Sequence, residues 1–180
     1  MNSASNQAAS DQQTFLDEPC IVRRSSGSGR LMEISNTLAS GAAVEFSVAL
    51  VGITFEGGNA AWGSGLPAAA GYGGAFITPV YSQVPASGTP RLHIKAEYCH
   101  FLNNKAYYRG GVGYIGCTTD VIVDHCEFAS NAQTPSADLT SGGGVFYLDN
   151  SATLLATASS FTFNTAKVRA ARVSWLAGFS

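Results

Sequence analysis

Glu97 and Asp124 each stand four residues before a phenylalanine, Phe101 and Phe128, and that shared offset is the first hint of chemistry in the chain. If the two segments lie side by side as neighbouring parallel strands, their carboxyl groups come about 5 Å apart. A retaining glycosidase holds its acid and its nucleophile at about that separation. His93 and Asp120 share an offset of eight, and Lys95 and His125 lie close by, so all six residues fall on one outer patch. The oxygens of Glu97, Asp120 and Asp124 also suit Ca²⁺, a hard cation that takes carboxylate ligands. A further copy of the surrounding pattern, the fourth along the chain, places Thr153 and Thr157 in the same rows, so the charge does not continue. The patch therefore reads first as a solvated face. Glu97 and Asp124 are its candidates for catalysis, and Ca²⁺ is the one cofactor with any candidate ligands.

A second set of residues points to binding. Trp62, Tyr72, Tyr107 and Tyr108 fall in segments of variable length. Exposed aromatic rings in such segments serve as stacking platforms for sugars or as anchors for proteins. Arg109 precedes a glycine pair, and Arg169 precedes Ala170-Ala171 at the matching place. An arginine there suits a carboxylate, which its planar guanidinium grips at two points. The glycine-rich runs Gly71–Ala75 and Ser141–Val145 lack the Lys-Ser/Thr and the helix of a phosphate loop, so they read as tight turns. No Gly-x-Ser-x-Gly elbow is present, and His100 should point outward beside Phe101.

What positions these residues is a template that returns four times. Val48-x-Leu50-x-x-Ile53-x-Phe55, Ile94-x-Ala96-x-x-Cys99-x-Phe101, Val121-x-Val123-x-x-Cys126-x-Phe128 and Leu154-x-Ala156-x-x-Ser159-x-Phe161 share one internal spacing. The first two apolar positions alternate as in a strand; the step of three that follows requires a bend before a second short alternation. Asn104, Asn131 and Asn164 come three residues after Phe, where they mark a further turn, accept left-handed geometry and stack as an amide ladder. From the second residue of the glycine pair to the next Phe is 17 residues for both Gly111 to Phe128 and Gly144 to Phe161. Length varies instead between the Asn and the glycine pair and in the run Pro79–Pro90. Segments such as 61–72 and 133–140 should therefore loop out. Fixed strands with variable turns predict an all-β fold: a parallel β-helix, a solenoid of about four to five coils with three short strands each.

Composition sets the remaining bounds. The chain has 180 residues, 46% of them apolar and only 12% charged, with a net charge of −2. That is one domain's worth of core, and it lacks the clustered basic residues by which nucleic acid is bound. No run is apolar for long enough to span a membrane as a helix, and residues 1–13 do not resemble a secretory signal. Cys20, Cys99, Cys117 and Cys126 form no zinc spacing. Cys99 and Cys126 share their template position with Ile53 and Ser159, which predicts a small inward slot and buried free thiols. Residues 1–30 are expected to be a disordered or degenerate leading segment, and 31–180 the β-helix domain. Nothing after Val173 reads as a polar cap, so the chain is expected to be a fragment with further coils beyond it.

The co-occurrence of Phe-x-x-Asn (Phe101–Asn104, Phe128–Asn131, Phe161–Asn164) with a glycine pair and apolar residues (Gly73–Phe76, Gly110–Val112, Gly143–Phe146) resembles the polymorphic outer membrane protein repeat of chlamydial surface autotransporters. The resemblance covers roughly residues 48–173. It departs at Gly58, which replaces the first Asn, and at Ala170-Ala171. It implies a right-handed parallel β-helix of the pectin lyase-like superfamily, displayed at the cell surface or outer membrane. The implied role is adhesion, recognition or structural display without catalysis, with a cell-surface protein or polysaccharide as partner. The alternative is a pectin lyase-like domain that binds or cleaves polysaccharide through Glu97 and Asp124.

Overall fold

A computed structural model describes residues 20–25, 27–36, 43–61, 67–80, 86, 88–134 and 142–166. The chain is all-β, and every strand-to-strand pairing is parallel. One sheet orders β1 (Cys20–Arg23), β4 (Ile53–Glu56), β8 (His100–Leu102), β12 (Glu127–Ala129) and β16 (Ser160–Thr162). A second orders β3 (Phe46–Val51), β7 (Leu92–Glu97), β11 (Thr119–Asp124) and β15 (Thr153–Thr157). A third holds β5 (Asn59–Ala60), β9 (Lys105–Ala106) and β13 (Ala132–Gln133). The fourth orders β2 (Met32–Glu33), β6 (Phe76–Ile77), β10 (Gly113–Ile115) and β14 (Phe146–Leu148).

Each of the first three template copies thus supplies four strands, not the three expected, because the two residues after Gly58, Asn104 and Asn131 pair as a sheet of their own. β1 and β2 supply one more layer ahead of the first copy. Cys20 lies opposite Ile53 and Val22 opposite Phe55, so the sheets begin before residue 31.

The template sets the register. Val48, Ile94, Val121 and Leu154 are direct neighbours across the second sheet, as are Leu50, Ala96, Val123 and Ala156. In β7 and β11 the first, third and fifth residues are buried, the strand period that puts alternate side chains in the core. The four template phenylalanines stack in one file. Phe55 lies 5.1 Å from Phe101, Phe101 4.9 Å from Phe128, and Phe128 4.7 Å from Phe161, each pair within 11° of parallel. Cys99 and Cys126 are buried beside this file, and all four cysteines are free thiols.

The bends are where the step of three requires them. Gly52, Tyr98, His125 and Ala158, each three residues before its Phe, have positive φ. So do Gly57, Asn103, Ser130 and Phe163, two residues after it. The left-handed residue is therefore the one before the ladder asparagine. Asn104 and Asn131 are fully buried and aim their amides along the stack, while the residue that bends the chain faces outward. At the glycine pair, Gly110 takes φ 66°. A Cβ on Gly111 would lie 2.1 Å from the carbonyl oxygen of Gly144, so no larger residue fits between the copies.

Candidate functional site

The carboxylate patch assembles as its spacing predicts. Asp124 pairs with Glu97 and Asp120 with His93 on adjacent strands. Each acid is nevertheless taken up by a partner of its own. Lys95 reaches Glu97 at 2.9 Å, and Thr157 donates to Asp124 at 2.7 Å with His125 at 3.1 Å. Arg91 clamps Asp120 through Nε at 2.6 Å and Nη2 at 2.5 Å, Thr153 donates to the same carboxylate, and His93 lies 3.3 Å away. The Thr157 hydroxyl and the neighbouring His125 hold the Asp124 carboxyl below the usual carboxylate range; the Arg91 clamp does the same for Asp120. A glycosidase acid needs the opposite displacement, toward the protonated form. Among the described residues no three His, Cys, Asp or Glu groups come together in a way that would hold a metal ion. His100 points outward as expected and bonds Glu127 at 2.9 Å.

The aromatic residues give a more definite construction. Tyr114 and Tyr147 are register neighbours on β10 and β14, and their rings stack at 5.7 Å and 7°. Tyr72 stacks on the other side of Tyr114 at 4.9 Å. Arg109 bridges in register between Tyr72 and Gly142, and its guanidinium carbon lies 4.9 Å from the Tyr72 ring and 4.7 Å from the Tyr147 ring. At Gly142 nothing stands within 4 Å of where a side chain would begin. The arginine can therefore lean across the third copy to Tyr147. Tyr108 meets Tyr72 edge-on at 6.3 Å and Tyr107 at 4.7 Å. Asp149 accepts the Tyr114 hydroxyl; burial, then this bond, push the Tyr114 phenol up.

The segment before Tyr72 explains why this cluster lies outside the main core. Its described part does not loop away. A short 3-10 turn, Ala68–Gly71, folds back over the fourth sheet, and Arg30 ties it down through the carbonyl of Ala69 at 2.6 Å. Tyr72, Ile77 and Tyr114 form a second apolar cluster there, flanked by Ala69, Tyr108 and Tyr147. Tyr72, expected as an exposed platform, is only 9% exposed because Tyr114 and Arg109 cover it. Tyr107, Tyr108, Arg109 and Tyr147 are half-buried and present the outer surface. Tyr114 and Tyr147 were missed in the sequence. Both stand four residues after the first glycine of a pair, so the available signal was their matching offset. Trp62 and Arg169 lie outside the described residues.

Among the described residues no helix is long and apolar enough to cross a membrane. Compared with protein-family models, with curated proteins and with solved structures, the chain matches none.

Proposed function

We propose that the chain is a right-handed parallel β-helix of the polymorphic outer membrane protein type, displayed outside the cell, that recognises a surface protein or polysaccharide without catalysis. The stacked phenylalanine file and the strand order that returns with every template copy support the architecture. The observation that carries the function is Arg109 held between Tyr72 and Tyr147. A guanidinium fixed by two aromatic rings keeps its charge and loses little side-chain freedom on binding. Tyr107, Tyr108 and Tyr147 beside it add rings with a polar edge, the side chains that dominate recognition surfaces. The ligand that fits is a carboxylate-bearing glycan or an acidic protein segment.

The test is binding of the purified chain to an array of neutral and acidic glycans and to intact cells. Arg109→Ala and Tyr147→Ala should each lower binding, and acidic ligands should suffer most from the arginine change. Binding that is indifferent to both substitutions would remove this reading. The polysaccharide-cleaving alternative is tested alongside, by turnover of pectin-like polymers with Glu97→Ala and Asp124→Ala as controls. Turnover that disappears in both variants would replace recognition with catalysis.

A further inference from the structure

The first template copy has Gly57-Gly58 where later copies have Asn103-Asn104 and Ser130-Asn131. In the outward left-handed position Gly57 leaves a gap, with its nearest neighbour, the Arg24 carbonyl oxygen, 3.8 Å from where a side chain would begin. Side chains from the layers on either side overhang that gap. The resulting cavity of about 220 Å³ is lined by Arg24, Gly27, Gly57, Gly58, Asn59, Asn103 and Lys105.

The chemistry of this lining is one-sided. Among the described residues it contains two cationic side chains, two side-chain amides and no carboxylate. Asn59 and Lys105 are register neighbours on β5 and β9. Buried Ala60 and Ala106 follow them, so Asn59 and Lys105 point outward toward the cavity. Among the described residues, the side chains of Asn59, Asn103 and Lys105 make no hydrogen bond or ion pair. The nearest acid in sequence, Glu56, is already held by Arg23 at 2.5 Å. The volume lies below the roughly 300 Å³ at which sites for drug-sized molecules begin, so the cavity suits one small group and not an extended chain.

We propose that this cavity is an oxyanion site, taking the carboxylate or sulfate group of an acidic sugar on Lys105 and Arg24, with the amides of Asn59 and Asn103 as further donors. Lys105 supplies the charge-assisted bond, Arg24, whose guanidinium already donates to the carbonyl of Ser28, adds its charge, and the glycine floor gives the room. None of its residues belongs to the tyrosine cluster, so the site stands or falls apart from the recognition face.

The experiment is a titration of the ¹⁵N-labelled chain with sodium sulfate and, separately, sodium glucuronate, against sodium chloride at equal ionic strength. Expected are saturable shifts at the backbone amides of Gly57 and Gly58 and the side-chain amides of Asn59 and Asn103. Glucuronate alone would identify a carboxylate site, sulfate alone a sulfate site, and both a general oxyanion site. Lys105→Gln should weaken binding about tenfold or more. Gly57→Asn should abolish it by filling the floor. That variant should fold, since Asn103 occupies the same turn position in the next copy at φ 56°. No saturable shift beyond the chloride control, or shifts unchanged in both variants, would overturn the proposal.

Discussion

Asn104 donates its side-chain amide to the side-chain oxygen of Asn131 at 3.1 Å, and Asn131 does the same to Asn164 at 2.9 Å. The same oxygens accept backbone amides: Asn131 Oδ1 takes the N–H of Asn104 and Asn164 Oδ1 that of Asn131, while Asn104 Oδ1 takes the N–H of Gly58. Each amide also donates to the carbonyl of a template phenylalanine in the preceding copy, Asn104 to Phe55, Asn131 to Phe101 and Asn164 to Phe128. The ladder therefore bonds buried backbone groups at the corner between the first sheet and the third, in addition to the sheet pairing of the phenylalanines.

Asn131→Ala should consequently destabilise far beyond one lost contact. It removes the acceptor for the buried N–H of Asn104 and the donor for the carbonyl of Phe101, and it cuts the ladder in its middle. With about 1–3 kcal/mol for each buried group left unpaired, the expected loss is roughly 3–5 kcal/mol in urea unfolding. Asn150→Ala, at an exposed residue, should stay within about 0.5 kcal/mol. Equal effects at the two positions would mean the ladder contributes nothing special.

The inner rows were legible because repetition makes a weak local signal strong. Ile94-x-Ala96 alone is a two-residue alternation; matched against Val121-x-Val123 and Leu154-x-Ala156 it fixes a register. The Phe file, the amide ladder, the buried Cys99 and Cys126 and the pairing of Glu97 with Asp124 all follow from it. What lies outside the template was not legible. Arg91 precedes β7, and only folding brings its guanidinium to Asp120, 29 positions on. The return of the Ala68–Gly71 turn over Tyr114 depends on an inserted segment whose length and sequence the template does not set. The leading strands were hidden for a related reason. Val22 replaces the template Phe, so the layer holding Cys20–Arg23 shares the register without the residue that marks it.

The Arg91–Asp120 clamp carries a pH dependence with a definite sign. Asp120 has its carboxyl depressed in the folded state, chiefly by the Arg91 hydrogen bonds and further by Thr153. In the unfolded chain it titrates near the ordinary value of about 3.9. A depressed carboxyl contributes stability above the unfolded value, and that contribution is lost as pH falls through the folded one. Asp120→Asn should melt about 2–4 °C below the parent at neutral pH. The gap should begin to narrow below about pH 4, where the unfolded carboxyl takes up its proton, and close as pH falls through the lower value of the folded carboxyl. A gap that persists undiminished to pH 2 in calorimetric melts would show that charge on Asp120 is not what stabilises.

Tyr114 gives the opposite dependence, at the alkaline end. Its ring is fully buried between Tyr72 and Tyr147, and its hydroxyl donates to Asp149. Burial foremost, and then the bond to Asp149, raise its pKa, so the phenol stays neutral wherever the fold holds. The unfolded chain releases this proton near the ordinary tyrosine value of about 10. Above that pH the unfolded state binds fewer protons than the folded one, and stability falls as pH rises. Tyr114→Phe should lose about 1 kcal/mol at neutral pH for the missing hydrogen bond, yet decline less steeply than the parent above about pH 10. Absorbance titration supplies the second readout. Between pH 9 and the onset of alkaline unfolding, parent and variant should show the same phenolate amplitude, because Tyr114 does not ionise in the folded parent. A parent amplitude larger by one tyrosine in that window would mean the ring is open to solvent, and the covering of Tyr114 by Tyr72 and Tyr147 would fall with it.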